Sequence, residues 1–442
     1  MASSGDERGR AGSTWRNWAG DQVCTPSEFV RPGTRDELAE AIGRAVAAGR
    51  KVGVAGSGHS FTEAAKTDGT MLDVSSLSGV IDADPASGLV RVGAGTVLAE
   101  LNEELHRLGL AMENLGDIDR QTIAGAISTG THGTGARLGN ISTQVEALEL
   151  VGADGSVREL SAGADPELLR AARVGIGALG VISAVTLRCV PAFTLHRVDT
   201  RRPREGVLDA FQESADANEH FELFTFPYAD SALVLERNRT EGPPRPRGRA
   251  AAYVNDVVLE NWALGAVSAA GKLVPRAIPS LSRLAAWLAS GSTSTDRSDR
   301  IFANERRVRF TEMEYGVPRE HGPEAVRRVI EWVRASRYPV FFPIEMRVTA
   351  ADDALLSPSH ERDTAYIAVH QYRGMEWRPY FEAVESIMNE YDGRPHWGKR
   401  HFQTAATLPQ RYPRWAEFQA ARDELDPGRA FTNQYAERVL GP

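Results

Sequence analysis

A histidine set in a glycine turn, Gly56-Ser57-Gly58-His59-Ser60, is the first place where residue types and spacing suggest chemistry. Glycines let backbone N–H groups converge on an anion because no Cβ blocks the approach. An imidazole at such a turn serves as a covalent anchor, a ligand or a base. A second cluster runs from Gly116 to Gly135 and interleaves Gly125, Gly130 and Gly133 with Thr122, Ser128, Thr129, Thr131 and His132. Hydroxyls and glycines this dense expose polar backbone to a ligand more readily than they serve a core. A third, Arg173 to Ile182, spaces Gly175, Gly177 and Gly180 ahead of an apolar strand. In the second half of the chain Glu345 and Arg347 stand two apart on a predicted strand, so their side chains share a face. Such a pair grips hydroxyl and carbonyl groups, although without a ligand nearby it reads as an ion pair on a solvated sheet. Glu312 and Glu314 have the same spacing and could line a pocket, although a solvated face is the stronger reading. His370 and the run His396-Trp397-Gly398-Lys399 complete the set.

The elements that must position these residues begin with a helix after Thr34, which stands three residues before Glu37 as a capping box. Leu38, Ala41, Ile42 and Ala45 follow at helical spacing, and Gly49 closes the helix. The strand Arg50–Val54 then feeds the first glycine turn. That turn lacks the Gly-x-Gly-x-x-Gly that leads a helix, so a Rossmann nucleotide site is disfavoured. Short strands at 71–74, 79–83 and 89–93 precede a helix from Val97 to Leu108. After Pro191 come strands at 193–201, 222–228, 232–237, 306–315, 340–349 and 365–372. A helical pair is expected at Val257–Leu288, with further helices at 323–335 and 379–390. Trp415–Tyr435 is read as a helix followed by the Pro427-Gly428 turn. Strands and helices mixed in both halves predict an α+β fold of two domains.

The totals fit. The chain has 442 residues, 42% of them hydrophobic, and a net charge of −8 from mixed signs. Nothing there argues for nucleic acid as a partner. Cys24 and Cys189 make no disulfide framework, no zinc spacing occurs, and no metal is expected. Met1–Ser13 reads as a frayed tail and not as a signal peptide, and no apolar run is long enough to span a membrane. A cytoplasmic protein is expected.

In this order the motifs resemble the aldonolactone oxidases (gulono-, galactono- and arabinono-1,4-lactone oxidases), which are close to the alditol oxidases in the vanillyl-alcohol oxidase superfamily of flavoenzymes. The resemblance runs from about Trp18 to Gly441. It implies an FAD-binding domain over 14–193, a cap domain over 194–398 and a C-terminal return to the first domain over 399–442. Gly56-Ser57-Gly58-His59-Ser60 is similar to the flavin-attachment turn, and a covalent bond from His59 to the flavin is implied. Gln121–Gly135 resembles the second flavin loop, with Gly116, Thr122, Gly125, Ser128, Gly130, Thr131, His132 and Gly133 as cofactor contacts. Gly180 and Ile182 belong to the adenine-contacting strand. Backbone amides of Gly56–Ser60 and Gly130–Gly133 are expected to cradle the pyrophosphate.

Glu345 and Arg347 resemble the substrate pair, Thr122 a substrate-contacting hydroxyl whose rival role is a helix cap, and His370 an active-site histidine of alditol oxidases. Lys399 corresponds to the lysine that faces the reduced flavin. The implied reaction is hydride transfer from a sugar lactone to FAD, with O2 or another acceptor reoxidising it. The segment Gly116–Gly125 is more similar to lactone oxidases than to alditol oxidases, where a Pro-His pair stands, so a polyol is the second substrate. A protein that binds flavin without turnover is the alternative of another class.

Overall fold

The computed structural model describes residues 13–245, 274–288, 291–303 and 308–442. The expected tail over 1–12 and most of the helical pair expected at Val257–Leu288 lie outside these residues. Among the described residues no helix is long and apolar enough to cross a membrane.

The chain builds an α+β molecule on three main sheets. The first is parallel and three-stranded, with Thr70–Asp73 between Glu28–Val30 and Val52–Ala55. The helix Arg35–Ala47 packs on it through Leu38, Ala41, Ile42 and Ala45. Thr34 caps that helix by accepting from the Glu37 N–H at 3.2 Å. The Glu37 carboxylate reaches one residue further back than a capping box requires and accepts from the Gly33 N–H at 2.7 Å. Ala430 and Phe431 enter the same core, and Val52 N–H donates to the Ala430 carbonyl at 2.8 Å. The end of the chain therefore returns to its beginning.

The second sheet is antiparallel, in the order Val157–Ser161, Val145–Val151, Val181–Arg188, Leu89–Gly93, Val80–Asp84. The helix Leu98–Arg107 buries Leu98, Leu101 and Leu105 in the adjoining core. Trp397, Tyr412, Phe418 and Tyr435 share that core although they lie far along the chain.

The third sheet has eight antiparallel strands: Ser292–Arg297, Thr194–Pro203, Ser231–Thr240, His220–Thr225, Ile344–Thr349, Thr364–Tyr372, Phe310–Pro318 and Arg394–Pro395. Two helices, Gly322–Ser336 and Arg378–Asn389, cover one face. In the first of them Pro323 stands in the opening turn, where its missing N–H costs nothing. Val326, Val329, Ile330 and Val333 form the buried stripe. Each such side chain contributes about 1.5–3 kcal/mol by leaving water. Arg337, at φ +54°, ends the helix in the left-handed region.

Candidate active site

Two cavities meet at the first glycine turn. The larger is a cleft open to solvent. Its walls are the end of the Val52–Ala55 strand with the turn Gly56–Ser60, the helix Ile123–Ser128, and the run Gly175–Ile182. Of the residues the sequence singled out, Gly56, Ser57, Gly58, His59, Ser60, Thr122, Gly125, Ser128, Gly180 and Ile182 line this cleft. The turn is open for a ligand. Among the described residues, the amides of Ser57, Gly58, His59 and Ser60 donate to no protein group. Gly58 at φ +70° and Gly180 at φ +140° hold backbone that an L side chain resists. Phosphate oxygens, a planar ring system and a ribose suit such a wall of free amides, hydroxyls and small side chains.

Gly130 and Gly133 are not part of this wall, contrary to expectation. The Gly130 N–H closes the helix by donating to the Ile127 carbonyl at 3.0 Å, and the Thr131 N–H donates to the Ala126 carbonyl at 3.0 Å. Gly133 is a packing glycine, since a Cβ there would lie 2.2 Å from Asn114 Oδ1. Thr122 Oγ1 accepts from the Gly125 N–H at 3.3 Å, which makes it the helix cap. It also sits against Gly56, where a Cβ would come within 2.3 Å of that oxygen. Thr122 thus faces the cleft and is not among the residues lining the second cavity.

The second cavity, of about 740 Å³, shares His59, Ser60, Gln121 and Thr129 with the cleft. It gathers Gly116, Thr131, His132, Glu345, Arg347, His370 and Lys399 from the expected set. Glu312 and Glu314 are also here, buried and paired, where a solvated face was expected. Lys399 Nζ lies 2.5 Å from Glu312 Oε2, and His370 Nε2 lies 3.4 Å from Glu312 Oε1. Burial alone would raise the Glu312 carboxyl, but Lys399 and then His370 outweigh it and bring it down to about 2. Burial likewise works against the Lys399 ammonium, yet Glu312 and Glu314 raise it above its ordinary value.

The segment that carries Lys399 is held by backbone bonds. His396 N–H donates to the Glu314 carbonyl at 3.0 Å, Arg400 N–H to the Glu312 carbonyl at 2.9 Å, and Phe61 N–H to the Gly398 carbonyl at 2.8 Å. Lys399 is thereby placed between Phe61, just after the glycine turn, and the Phe310–Pro318 strand.

Glu345 and Arg347 share a face as expected and pair directly. The sequence reading missed what surrounds them. Arg347 Nε donates to Glu222 Oε2 at 2.8 Å, and its guanidinium lies 3.3 Å from Asp117 Oδ2. Glu222 in turn accepts from Arg237 at 2.5 Å. Glu222 lies directly across the sheet from Arg347, so strand register makes the contact, and no spacing along the chain reveals it. Burial disfavours the Arg347 cation, but Glu345, Asp117 and Glu222 hold it well above the ordinary arginine range.

His132, Glu314 and His396 lie close enough to hold a metal ion. Hydrogen bonds engage all three. His132 places Nδ1 2.9 Å from the Gly133 carbonyl and Nε2 3.2 Å from Glu314. His396 Nδ1 accepts from the Gly398 N–H at 3.0 Å, which in the neutral ring leaves the proton on Nε2. That ring therefore has no lone pair to spare for a metal.

His59, half-buried, stacks on Trp18 with ring centroids 5.7 Å apart. Burial first, then Lys399 and Arg120, lowers its pKa to about 4, so the imidazole is neutral at neutral pH.

Comparison with known proteins gives a consistent picture. Residues 185–439 match the D-arabinono-1,4-lactone oxidase family, and residues 26–161 match an FAD binding domain. The chain is 51% identical over 428 residues to an L-gulono-1,4-lactone dehydrogenase of Mycobacterium tuberculosis, covering 97% of this chain and 99% of the relative. It is 35% identical over 431 residues to an alditol oxidase of a Streptomyces species, covering 96% and 98%. Among solved structures, cholesterol oxidase from B. sterolicum superposes with a TM-score of 0.79 at 17% identity, covering 97% of this chain and 96% of that one. That likeness concerns the fold alone.

Proposed function

The chain belongs to the D-arabinono-1,4-lactone oxidase family, the aldonolactone oxidases of the vanillyl-alcohol oxidase flavoprotein superfamily, and we propose that it oxidises the C2 hydroxyl of a gulono-, galactono- or arabinono-type 1,4-lactone. The observation that carries this reading is the joining of the two cavities at His59, Ser60, Gln121 and Thr129. A cofactor cleft with open amides runs into a chamber of buried acids, histidines and two cations. Bound in the cleft, FAD supplies a hydride acceptor at flavin N5, regenerated by O2 to give H2O2 or by another acceptor.

The residues of the chamber divide the remaining work. His370 places Nε2 toward Glu312, while its buried Nδ1 has no protein partner among the described residues. His370, lining the chamber beside Glu312, is the residue assigned to accept the hydroxyl proton as hydride leaves the same carbon. Glu345 and Arg347 orient the lactone through its hydroxyl and carbonyl oxygens. Lys399, kept cationic by two carboxylates, puts fixed positive charge where negative charge builds during reduction.

The neutral imidazole of His59 supports a tether to the flavin 8-methyl carbon. Tethering exchanges one C–H bond of that methyl and the imidazole N–H for one C–N bond. The two electrons released pass to the acceptor that also ends each turnover. The core joining Leu38 and Val181 to Ala430 and Phe431 supports assigning 14–193 with 399–442 to the cofactor. The core drawn from Val207 to Met388 supports a cap over 194–398, of which Leu195, Ile301, Leu355 and Trp397 pack with the first domain.

Identity to the Streptomyces alditol oxidase favours polyols as the second reading. Steady-state assay with gulono-1,4-lactone and xylitol, in air and with an artificial electron acceptor, separates the two. The lactone is expected to give the higher kcat/KM by at least about tenfold. Xylitol turnover far above lactone turnover would reverse the order.

A further inference from the structure

The motif Trp15-Arg16-Asn17-Trp18 has no part in the reaction described above, yet it is wrapped around the turn that carries His59. Trp15–Arg16 and Val23–Cys24 pair as a short antiparallel hairpin. From this hairpin Trp18 N–H donates to the Gly58 carbonyl at 2.7 Å, Asn17 Nδ2 to the Ser60 carbonyl at 3.0 Å, and Gln22 Nε2 to the Phe61 carbonyl at 3.2 Å. Two carbonyls of the glycine turn and that of the next residue, Phe61, are thus held by one hairpin, while the turn's amides stay open on the cleft.

The hairpin is itself braced. Asn17 Oδ1 accepts from the N–H groups of Gly20, Asp21 and Gln22 at 2.9, 3.0 and 3.0 Å. Asn17 and Gln22 are both buried. Asp21 pairs with Arg400, next to Lys399, and Arg309 donates to the Trp18 carbonyl. The indole of Trp18 stacks on the His59 imidazole at an interplanar angle of 24°, and it meets Phe61 and Phe310 edge-on.

We propose that the N-terminal hairpin clamps the glycine turn and that Trp18 is the positioning residue that orients the His59 imidazole toward bound flavin. The proposal rests on the reading of His59 as the flavin tether. A free imidazole on a glycine turn samples several rotamers, and a flat ring packed on one face removes most of them. Covalent attachment needs the ring nitrogen aligned with one methyl carbon, so this restriction acts on the attachment rate. Most residues lining the cleft lie outside the hairpin, so occupancy at saturating FAD is retained without Trp18, while attachment and release of the ring depend on it.

The test uses purified full-length holoprotein. Total flavin per chain and the fraction retained after acid precipitation are measured for the native protein, Trp18→Ala and Trp18→Phe. Trp18→Ala is expected to bind FAD to native occupancy but to attach it at least about tenfold more slowly, and Trp18→Phe to recover most of the attachment. Native attachment in Trp18→Ala overturns the proposal, as does equal loss in both variants. If the native protein releases all its flavin in acid, the tether reading itself has failed. The clamp is then judged by flavin release, which Trp18→Ala must accelerate at least about tenfold, and an unchanged release rate overturns it.

Discussion

Among the described residues no Asp, Glu, Lys or Arg side chain lines the glycine cleft, whereas the cavity it opens into holds Asp117, Glu312, Glu314, Glu345, Arg347 and Lys399. Both regions handle negative charge, by different means. The cleft offers open backbone amides, whose dipoles are fixed by the chain path and carry no net charge to desolvate. The chamber keeps full charges out of water, which is tolerable only while each has its partner. A single substitution should therefore be absorbed in the cleft and amplified in the chamber.

Arg347→Met makes the largest break. It strips Glu222, Glu345 and Asp117 of a shared cation. A loss of about 3–5 kcal/mol of stability is expected in urea titration. Lactone oxidation should fall by at least about a thousandfold, from lost orientation and lost charge together. Flavin per folded chain should be unchanged, and a parallel loss of flavin would erase the distinction between the two regions.

Lys399→Met comes next. Anaerobic rapid mixing should show flavin reduction slowed about a hundred- to a thousandfold, with the affinity for FAD retained. Reduction at the native rate would remove Lys399 from the chemistry.

In the cleft, Gly58→Ala forces an L residue to φ +70°, which costs about 1–2 kcal/mol. FAD should bind about tenfold more weakly, while molecules already loaded turn over as before. A fall in the turnover of the loaded fraction would mean the cleft does more than hold.

The smallest effect is on pH dependence. His59 is lowered to about 4 and His396 to about 3, in both cases chiefly by burial. The unfolded chain then binds more protons than the folded one below about pH 6.5, so stability falls as pH drops through that window. Glu312 and Glu222, brought from near 4.5 to about 2 by their cations against the cost of burial, add stability above about pH 4.5 that is lost toward pH 2. Urea midpoints at pH 7, 5 and 3 should decline stepwise, and Glu312→Gln should flatten the lower step. A flat profile would place these groups outside the folded-state network.

The same contrast separates what could be read in the sequence from what could not. Gly56–Ser60 and Gly180 were legible because a glycine's role is local, and Glu345 with Arg347 because a strand's alternation is local too. Glu222, Arg237 and Asp117 were missed because the register of neighbouring strands and a contact between distant parts of the chain bring them to Arg347. For Glu312 and Glu314 a solvated face was preferred over a pocket because alternation tells which residues share a face, not which face is covered. Gly130 and Gly133 fell to the opposite error, since a dense glycine run closes a helix and packs on Asn114 as readily as it meets a ligand. The strand Val145–Val151 went unread because burial on both faces leaves it without a clean period of two. The helix Gln434–Leu440, capped by Asn433, went unread.

The absorbance spectrum of the purified protein, recorded without oxygen before and after adding gulono-1,4-lactone, tests the central claim most directly. A flavin spectrum that bleaches on adding the lactone, and returns on admitting O2 or another acceptor, is the predicted result. An oxidised flavin spectrum unchanged by the lactone, or no flavin at all in a folded protein, would contradict it.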